Sequence, residues 1–261
     1  MVDLATARNF ISLTDLPAAS AFAADAPASG GGLPDFDPTK EQSLVIGSDV
    51  ISFGTGVDAE FRQAITDSAL FAQLAALHKV GPNADPMKFF DAYFSYLLQL
   101  GWLVQQRDTS ELEFKGGGLD VHQEIIGVIT AFLAPIAGAA QAILAVMEGL
   151  RKMDQSQPFI TLFNKRSARQ KIGQFQFTYV QADPAKGILA RMTAFGLDAH
   201  NTITQVLFFR LKNDYTSLQR SLGALSIDPA TLTALRPNIA AKVLAYRQSL
   251  IAEVDLGPVG P

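Results

Sequence analysis

Cysteine is absent from the 261-residue chain, which excludes disulfides, thiol nucleophiles and zinc–thiolate sites and leaves the redox compartment open. Charge is sparse as well. Asp, Glu, Lys and Arg make up 18% of the residues, against roughly 25% in an average soluble chain. With 48% hydrophobic residues, such a sequence collapses, so disorder is excluded for most of its length. Histidine is confined to His78, His122 and His200, and a Ser–His or metal site has to use one of them. No serine stands between glycines at nucleophile-elbow spacing, and no H-E-x-x-H occurs. Lys115 precedes Gly116–Gly118, the wrong order for a phosphate-cradling loop. Gly54-Thr55-Gly56 lacks the third glycine and the acidic partner of a dinucleotide fingerprint. Asp198 and His200 sit two apart at a turn, and Glu111 and Glu113 share a strand face, arrangements common where side chains are simply solvated. The sequence therefore names no catalytic, cofactor-binding or metal-binding residue.

Charge is unevenly distributed. Residues 1–58 carry eight acidic and two basic side chains, residues 59–150 ten and five, and residues 151–261 seven and fourteen. The local balances are −6, −5 and +7 in a chain of net charge −4. A basic C-terminal part suits an anionic partner, or the acidic part of the same molecule.

Residues 1–40 read as a flexible leader or linker, 41–256 as a single α+β domain and 257–261 as a tail. Ala18–Ala23, Pro27, Ser29, Gly30–Gly32, Pro34 and Pro38 bury little area and cost much entropy to order. The small residues at 21–26 resemble a secretory cleavage site. However, Arg8 is the lone basic residue upstream, and Asp3, Asp15 and Pro17 interrupt the apolar stretch that a signal requires. The chain therefore reads as soluble when made, delivered outside the cell by a non-Sec route or, alternatively, retained in the cytoplasm. A protein partner for the leader is not indicated.

Within the domain, Ser43–Phe53 alternates as a strand or hairpin. Asp58 is placed to cap a helix with Phe61, Ile65, Leu70, Leu74 and Leu77 on one face. Asp85-Pro86 starts another that runs to about Gln106, apolar around nearly its whole circumference and so expected to be the central, buried one. Asp120 and Gln123 resemble a capping box. Beyond Pro158 the period becomes alternating, with strands expected at Gln174–Tyr179, Ile188–Leu197, Thr202–Lys212 and Tyr215–Ile227. Asp228-Pro229 opens a terminal amphipathic helix carrying Ile239, Val243, Tyr246 and Leu250, placed to cover one sheet face. The expected fold is α+β: a buried helical layer on an antiparallel sheet of four to six strands, with a C-terminal amphipathic helix.

Two segments carry chemical meaning. From Ile125 to Met147, 23 residues contain no Asp, Glu, Lys, Arg or His. About twenty apolar residues suffice for a helical span, but Pro135 and Gly138 divide this run into halves too short to cross singly. The halves read either as core helices or as a hairpin that enters lipid. The insertion candidates are Ile125, Ile126, Val128, Ile129, Phe132, Leu133, Pro135, Ile136, Gly138, Ile143, Leu144 and Val146. The second segment, Lys165–Lys171, supplies headgroup-binding candidates Lys165, Arg166, Arg169 and Lys171, or is a solvated loop between strands. No aromatic stacking platform surrounds these cations, so nucleic acid is not expected as a partner.

Ile203-Thr204-Gln205-Val206-Leu207-Phe208-Phe209-Arg210-Leu211-Lys212, preceded by an apolar helical region and followed by an amphipathic helix, resembles the Erwinia virulence factor type of protein. The resemblance covers roughly residues 45–252 and brings no catalytic motif. It implies a small bacterial α+β or α/β protein associated with insect-gut infection. That family is associated with a fatty acyl chain on a buried cysteine. No residue here can carry such a chain, so the resemblance implies that an unmodified apolar pocket or insertable segment serves instead. The sequence thus points to a non-enzymatic, secreted toxin or virulence-type effector that associates with a lipid surface, with an oligomer on the membrane as a further expectation and no cofactor. The alternative is a soluble module that binds a lipid or other apolar ligand. An enzyme would need a pocket where His78, His122 or His200 meets a carboxylate.

Overall fold

The computed structural model describes residues 3–25, 31–112, 119–152, 157–169, 172–198, 210–211 and 217–254. Leu4–Leu13 forms α1, and Ala19–Asp25 is a 3-10 segment. Gln42–Ile46 (β1) and Asp49–Phe53 (β2) make a hairpin, followed by Ala59–Val80 (α2), Pro86–Gln99 (α3) and Leu103–Leu112 (β3). Leu119–Asp120 (β4), Val121–Leu133 (α4), Ala139–Lys152 (α5), Pro158–Ser167 (α6) and Ala168–Arg169 (β5) come next. Ile172–Asp183 (β6), Gly187–Asp198 (β7), Arg210–Leu211 (β8) and Ser217–Ile227 (β9) lead to Pro229–Val243 (α7), Arg247–Leu250 (α8) and Ile251–Glu253 (β10).

The fold is α+β. The main sheet has the order β10-β1-β2-β6-β7-β9-β3 with β5 clipped onto β6, more strands than the four to six expected. Every pairing in it is antiparallel except β2 with β6. The expected four-strand meander is also altered. β7 pairs directly with β9 from Ile188↔Ile227 to Asp198↔Ser217, so no strand lies between them. Of the expected strand Thr202–Lys212, only Arg210–Leu211 is described, and it pairs with β4 in a separate two-stranded sheet. The rest of that stretch, which carries most of the family resemblance, lies outside the described residues, as does the tail.

Helices cover both sheet faces. Strand residues alternate between faces, and the glycines of β7 and β9 show which helix each face meets. A Cβ on Gly196 would come within 2.6 Å of Pro86, and one on Gly223 within 2.6 Å of the Phe94 ring, so α3 rests directly on the backbone there. On the opposite face, Phe163 of α6 meets the rings of Phe175 and Phe177, and Phe195 stacks on Phe175. The C-terminal helix α7 packs on α2 rather than directly on a sheet face, and α1 packs on α7. Part of the segment read as a leader is thereby packed: Ala7, Ile11 and Phe22 are buried.

The central helix is α2, not α3. Every residue from Ala64 to Ala76 is buried, and each of Ile65, Leu70, Phe71 and Leu74 is worth about 1.5–3 kcal/mol by its removal from water. The Asp58 side chain makes no cap bond to α2, whereas α3 is capped as expected, with the Asp85 carboxylate accepting from the Met87 and Lys88 amides. It ends at Gln99 rather than Gln106. Gly101 takes φ +92°, and the Trp102 amide turns back to the Leu97 carbonyl, closing the helix before β3. Asp91, Ser95, Leu98 and Gln99 are exposed, so α3 buries one face only.

Candidate functional site

The uncharged run folds as the hairpin α4–α5. In α4 the buried positions are Ile125, Val128, Ile129, Phe132 and Leu133; in α5 they are Ala139, Ala140, Ile143, Val146 and Met147. Both sets repeat at three- and four-residue spacing, which puts them on one stripe of each helix. That stripe faces the sheet, α4 over β7 and α5 over β6. The turn between them follows from Pro135 and from Gly138, whose φ of +79° favours glycine. Of the insertion candidates, Ile125, Val128, Ile129, Phe132, Leu133, Ile143 and Val146 are buried, Ile126, Ile136 and Leu144 half-buried, and Pro135 and Gly138 exposed.

The outward side of the hairpin is chemically unusual. Gly127, Thr130, Ala131, Ala134, Pro135, Ala137, Gly138, Gln141 and Ala145 are exposed, and none is charged. A surface helix ordinarily turns charged residues to water; this one is a sheet-facing layer with a smooth, weakly polar exterior. A polar tie that sequence reasoning missed helps to hold it. The Arg191 guanidinium of β7 donates to the Phe132 carbonyl at 2.7 Å and lies 5.2 Å from the centre of the Phe132 ring. No helix among the described residues is long and apolar enough to cross a membrane.

The basic segment is placed differently from expectation. Lys165 and Arg166 occupy the last turn of helix α6 rather than a loop between strands, where cations complement the carbonyl end of the helix. Both contact the N-terminal 3-10 segment. Lys165 Nζ donates to the Ala24 carbonyl at 2.8 Å, and the Arg166 guanidinium lies 4.8 Å from the centre of the Phe22 ring. The Arg169 side chain and Lys171 lie outside the described residues. So do His200, Glu113 and the His122 side chain; His78, Glu111 and Asp198 are exposed.

The other sheet face hides ionisable groups that the sequence did not flag. Arg62 of α2 is fully buried. It donates to the carbonyls of Val57, Lys40 and Gly54 and to Gln42 Oε1 at 2.8–3.0 Å, tying the β1–β2 hairpin to the helix. Asp67, also fully buried, takes two bonds from Arg247 of α8 at 2.9 and 2.5 Å. Burial nevertheless raises the Asp67 pKa, its effect exceeding that of the Arg247 pairing.

Asp49, at the start of β2, has no such cation among the described residues. Gln176 Nε2 donates to its carboxyl at 2.7 Å, and the Thr178 hydroxyl lies 3.1 Å from both carboxyl oxygens. Burial raises its pKa to about 7, against the opposing pull of these two partners. An uncompensated buried carboxylate costs several kcal/mol, whereas hydrogen bonds to a charged group recover about 1.5–3 kcal/mol each. Beside this cluster, Ile51, Ile65, Tyr93, Trp102, Thr178 and Met192 line a cavity of about 20 Å³. A second, of about 20 Å³, lies near Gly47, Gln73 and Arg166. Each has room for a water molecule and none for an acyl chain.

No protein-family model matches the chain, and no curated protein does. Among solved structures it is similar to a delta-endotoxin, with TM-score 0.39 and 11% identity over 70% of this chain and 84% of that one. It is also similar to the activated Cyt2Ba monomer from Bacillus thuringiensis subsp. israelensis, with TM-score 0.37 and 13% identity over 68% of this chain and 97% of that one. The Evf virulence factor matches with TM-score 0.33 and 8% identity over 86% of this chain and 88% of its own.

Proposed function

We propose that the chain is a non-enzymatic effector of the toxin or virulence type that acts at membranes, and that α4–α5 is the part that enters lipid. The observation that carries this reading is the hairpin's exposed side, which bears no charge between Ile125 and Met147. Core helices with this composition belong at the centre of a fold, and here that position is taken by α2. The hairpin is instead an outer layer, and leaving the sheet would bring no charged side chain of this stretch into lipid. Geometry also sets the mode of entry. α4 has 13 residues and α5 has 14, so each is about 20 Å long at 1.5 Å per residue, short of the ~30 Å hydrocarbon core. The pair would enter one leaflet as a unit rather than span the bilayer, with the stripe of Ile125, Ile129, Phe132, Ile143 and Val146 and the uncharged outward side, Thr130 and Ala131 included, both in the acyl region.

The test uses the absence of native cysteine. A polarity-sensitive dye on Ala131→Cys is expected to shift to the blue on mixing with vesicles that leak their contents, while the same dye on Thr109→Cys of β3 stays unchanged. No leakage and no dye shift with neutral or anionic vesicles, at acid, neutral and alkaline pH, would refute the reading.

A further inference from the structure

Asp49 stands apart from the hairpin, on the other face of the sheet, and nothing proposed above uses it. Its surroundings are specific. It begins β2 opposite Gln176 of β6, in the one parallel pairing of the main sheet, and is fully buried. From β6 it meets Gln176 and Thr178; from α3 the titratable group facing it is Tyr93, whose own pKa is raised well above the usual range by burial and then by the Asp49 charge. The charged groups of α2 are engaged elsewhere, Arg62 with the loop carbonyls and Asp67 with Arg247. Among the described residues, no lysine, arginine or histidine acts on the Asp49 carboxyl.

Two further polar atoms here lack a partner among the described residues. Gln176 gives its Nε2 to Asp49, and its Oε1, buried, finds no donor; Trp102 Nε1, also buried, finds no acceptor. Trp102 and Thr178 line the same water-sized cavity, together with Tyr93. One small space is thus bordered by the hydroxyl that contacts Asp49, by the phenol that senses its charge and by the chain's single tryptophan.

We propose that Asp49 is a proton-controlled latch between the sheet and α3: protonated, it lets the helix seat dry on β6, and on losing its proton to solvent it draws water into the cavity and loosens that seat. The physical reason is the missing cation. A neutral carboxyl needs only the two partners it has, whereas the anion needs more solvation than Gln176 and Thr178 provide, and the adjoining cavity is where water can supply it. The pKa of about 7 puts the change in the neutral range.

Trp102 reports on the latch in the unmodified full-length protein. Between about pH 5.5 and about pH 8.5 its emission is expected to shift to the red and its quenching by acrylamide to rise at least twofold, with helical circular dichroism unchanged. In the same interval the infrared carbonyl band of a protonated, buried carboxyl should disappear with the same midpoint. Asp49→Asn should hold Trp102 in its low-pH state throughout and lack that band. Should Asp49→Asn fail to fold, Thr178→Val keeps the carboxyl but removes one of its partners, and must move the midpoint upward by about half a pH unit or more. A flat Trp102 signal, an absent carboxyl band, an Asp49→Asn profile that follows the native one, or a Thr178→Val midpoint that does not move would each overturn the proposal.

Discussion

On the α3 side of the sheet, polar side chains are built into the interior. Arg62 ties α2 to the β1–β2 hairpin, Gln73 bonds the Ile46 carbonyl beneath Gly47, and Asp67 holds Arg247. On the hairpin side, α4 and α5 meet the sheet through aliphatic and phenylalanine side chains, with Arg191 as a polar tie. The difference is one of directionality. Buried hydrogen-bonded groups fix a single arrangement, because moving them strands a donor or acceptor. Apolar contact is non-directional and has a ready substitute in lipid. The first side is therefore the frame of the molecule, and the second is the layer that can be exchanged.

The largest expected effect falls on the frame. Arg62→Met should cost about 4 kcal/mol in urea denaturation, because it leaves the buried carbonyls of Val57 and Gly54, and that of Lys40, without their Arg62 donor. Arg247→Ala should cost about 3 kcal/mol by leaving Asp67 buried and unpaired. If either variant unfolds at the same urea concentration as the native protein, the frame is not where the stability resides.

Acidity offers a second way to separate the sides. Asp49 has its folded pKa raised to about 7 from an ordinary value of 3.8. Between these values the unfolded chain has released the proton while the folded one retains it, so folding stability falls as pH rises through this window and levels off above it. Asp49→Asn should remove that slope and be relatively more stable than the native protein above neutrality. Denaturation midpoints at a series of pH values would show it, and parallel curves for the two proteins would refute it.

Strand alternation, the Asp85-Pro86 and Asp228-Pro229 starts and the break at Pro135 and Gly138 were legible in the sequence, since each is a local rule acting on adjacent residues. The centre of the molecule was not. α2 carries Arg62, Thr66, Asp67, Ser68 and Gln73, which a hydrophobic pattern reads as a wet face, yet all are buried because backbone carbonyls and Arg247 satisfy them. α3, with its dense aromatics, looked central and is covered on one face only. Asp49 falls inside Ser43–Phe53, read only as a strand or hairpin. Nothing local reveals that Gln176 and Thr178, more than a hundred residues away, enclose it. The direct β7–β9 pairing has the same cause, since long-range register leaves no mark on neighbouring residues.

On the hairpin side, effects on stability should be small and effects on lipid large. Arg191→Met removes the bond to the Phe132 carbonyl and the cation above its ring, worth about 1 kcal/mol together. The loss should be local: faster hydrogen exchange in α4 and α5, unchanged exchange in α2, and stronger vesicle leakage. Equal acceleration in α2 would mean that the two sides open as one unit.

Thr130→Asp gives the smallest change in stability and the sharpest division between the readings of the hairpin. Thr130 is exposed on α4, one turn from Ala134, so an added carboxylate remains in water in the folded protein and should shift stability by no more than about 0.5 kcal/mol. In lipid the same carboxylate sits inside the uncharged stretch, five residues before the Pro135 break, where an aspartate costs about 2.5–3.5 kcal/mol at full depth, and leakage should fall by up to roughly a hundredfold. If α4–α5 stays on the sheet while the protein works, Thr130 never meets a low-dielectric phase and leakage is unchanged. If the hairpin enters lipid, a substitution almost invisible to folding abolishes most of the activity, and that asymmetry cannot arise from a damaged frame.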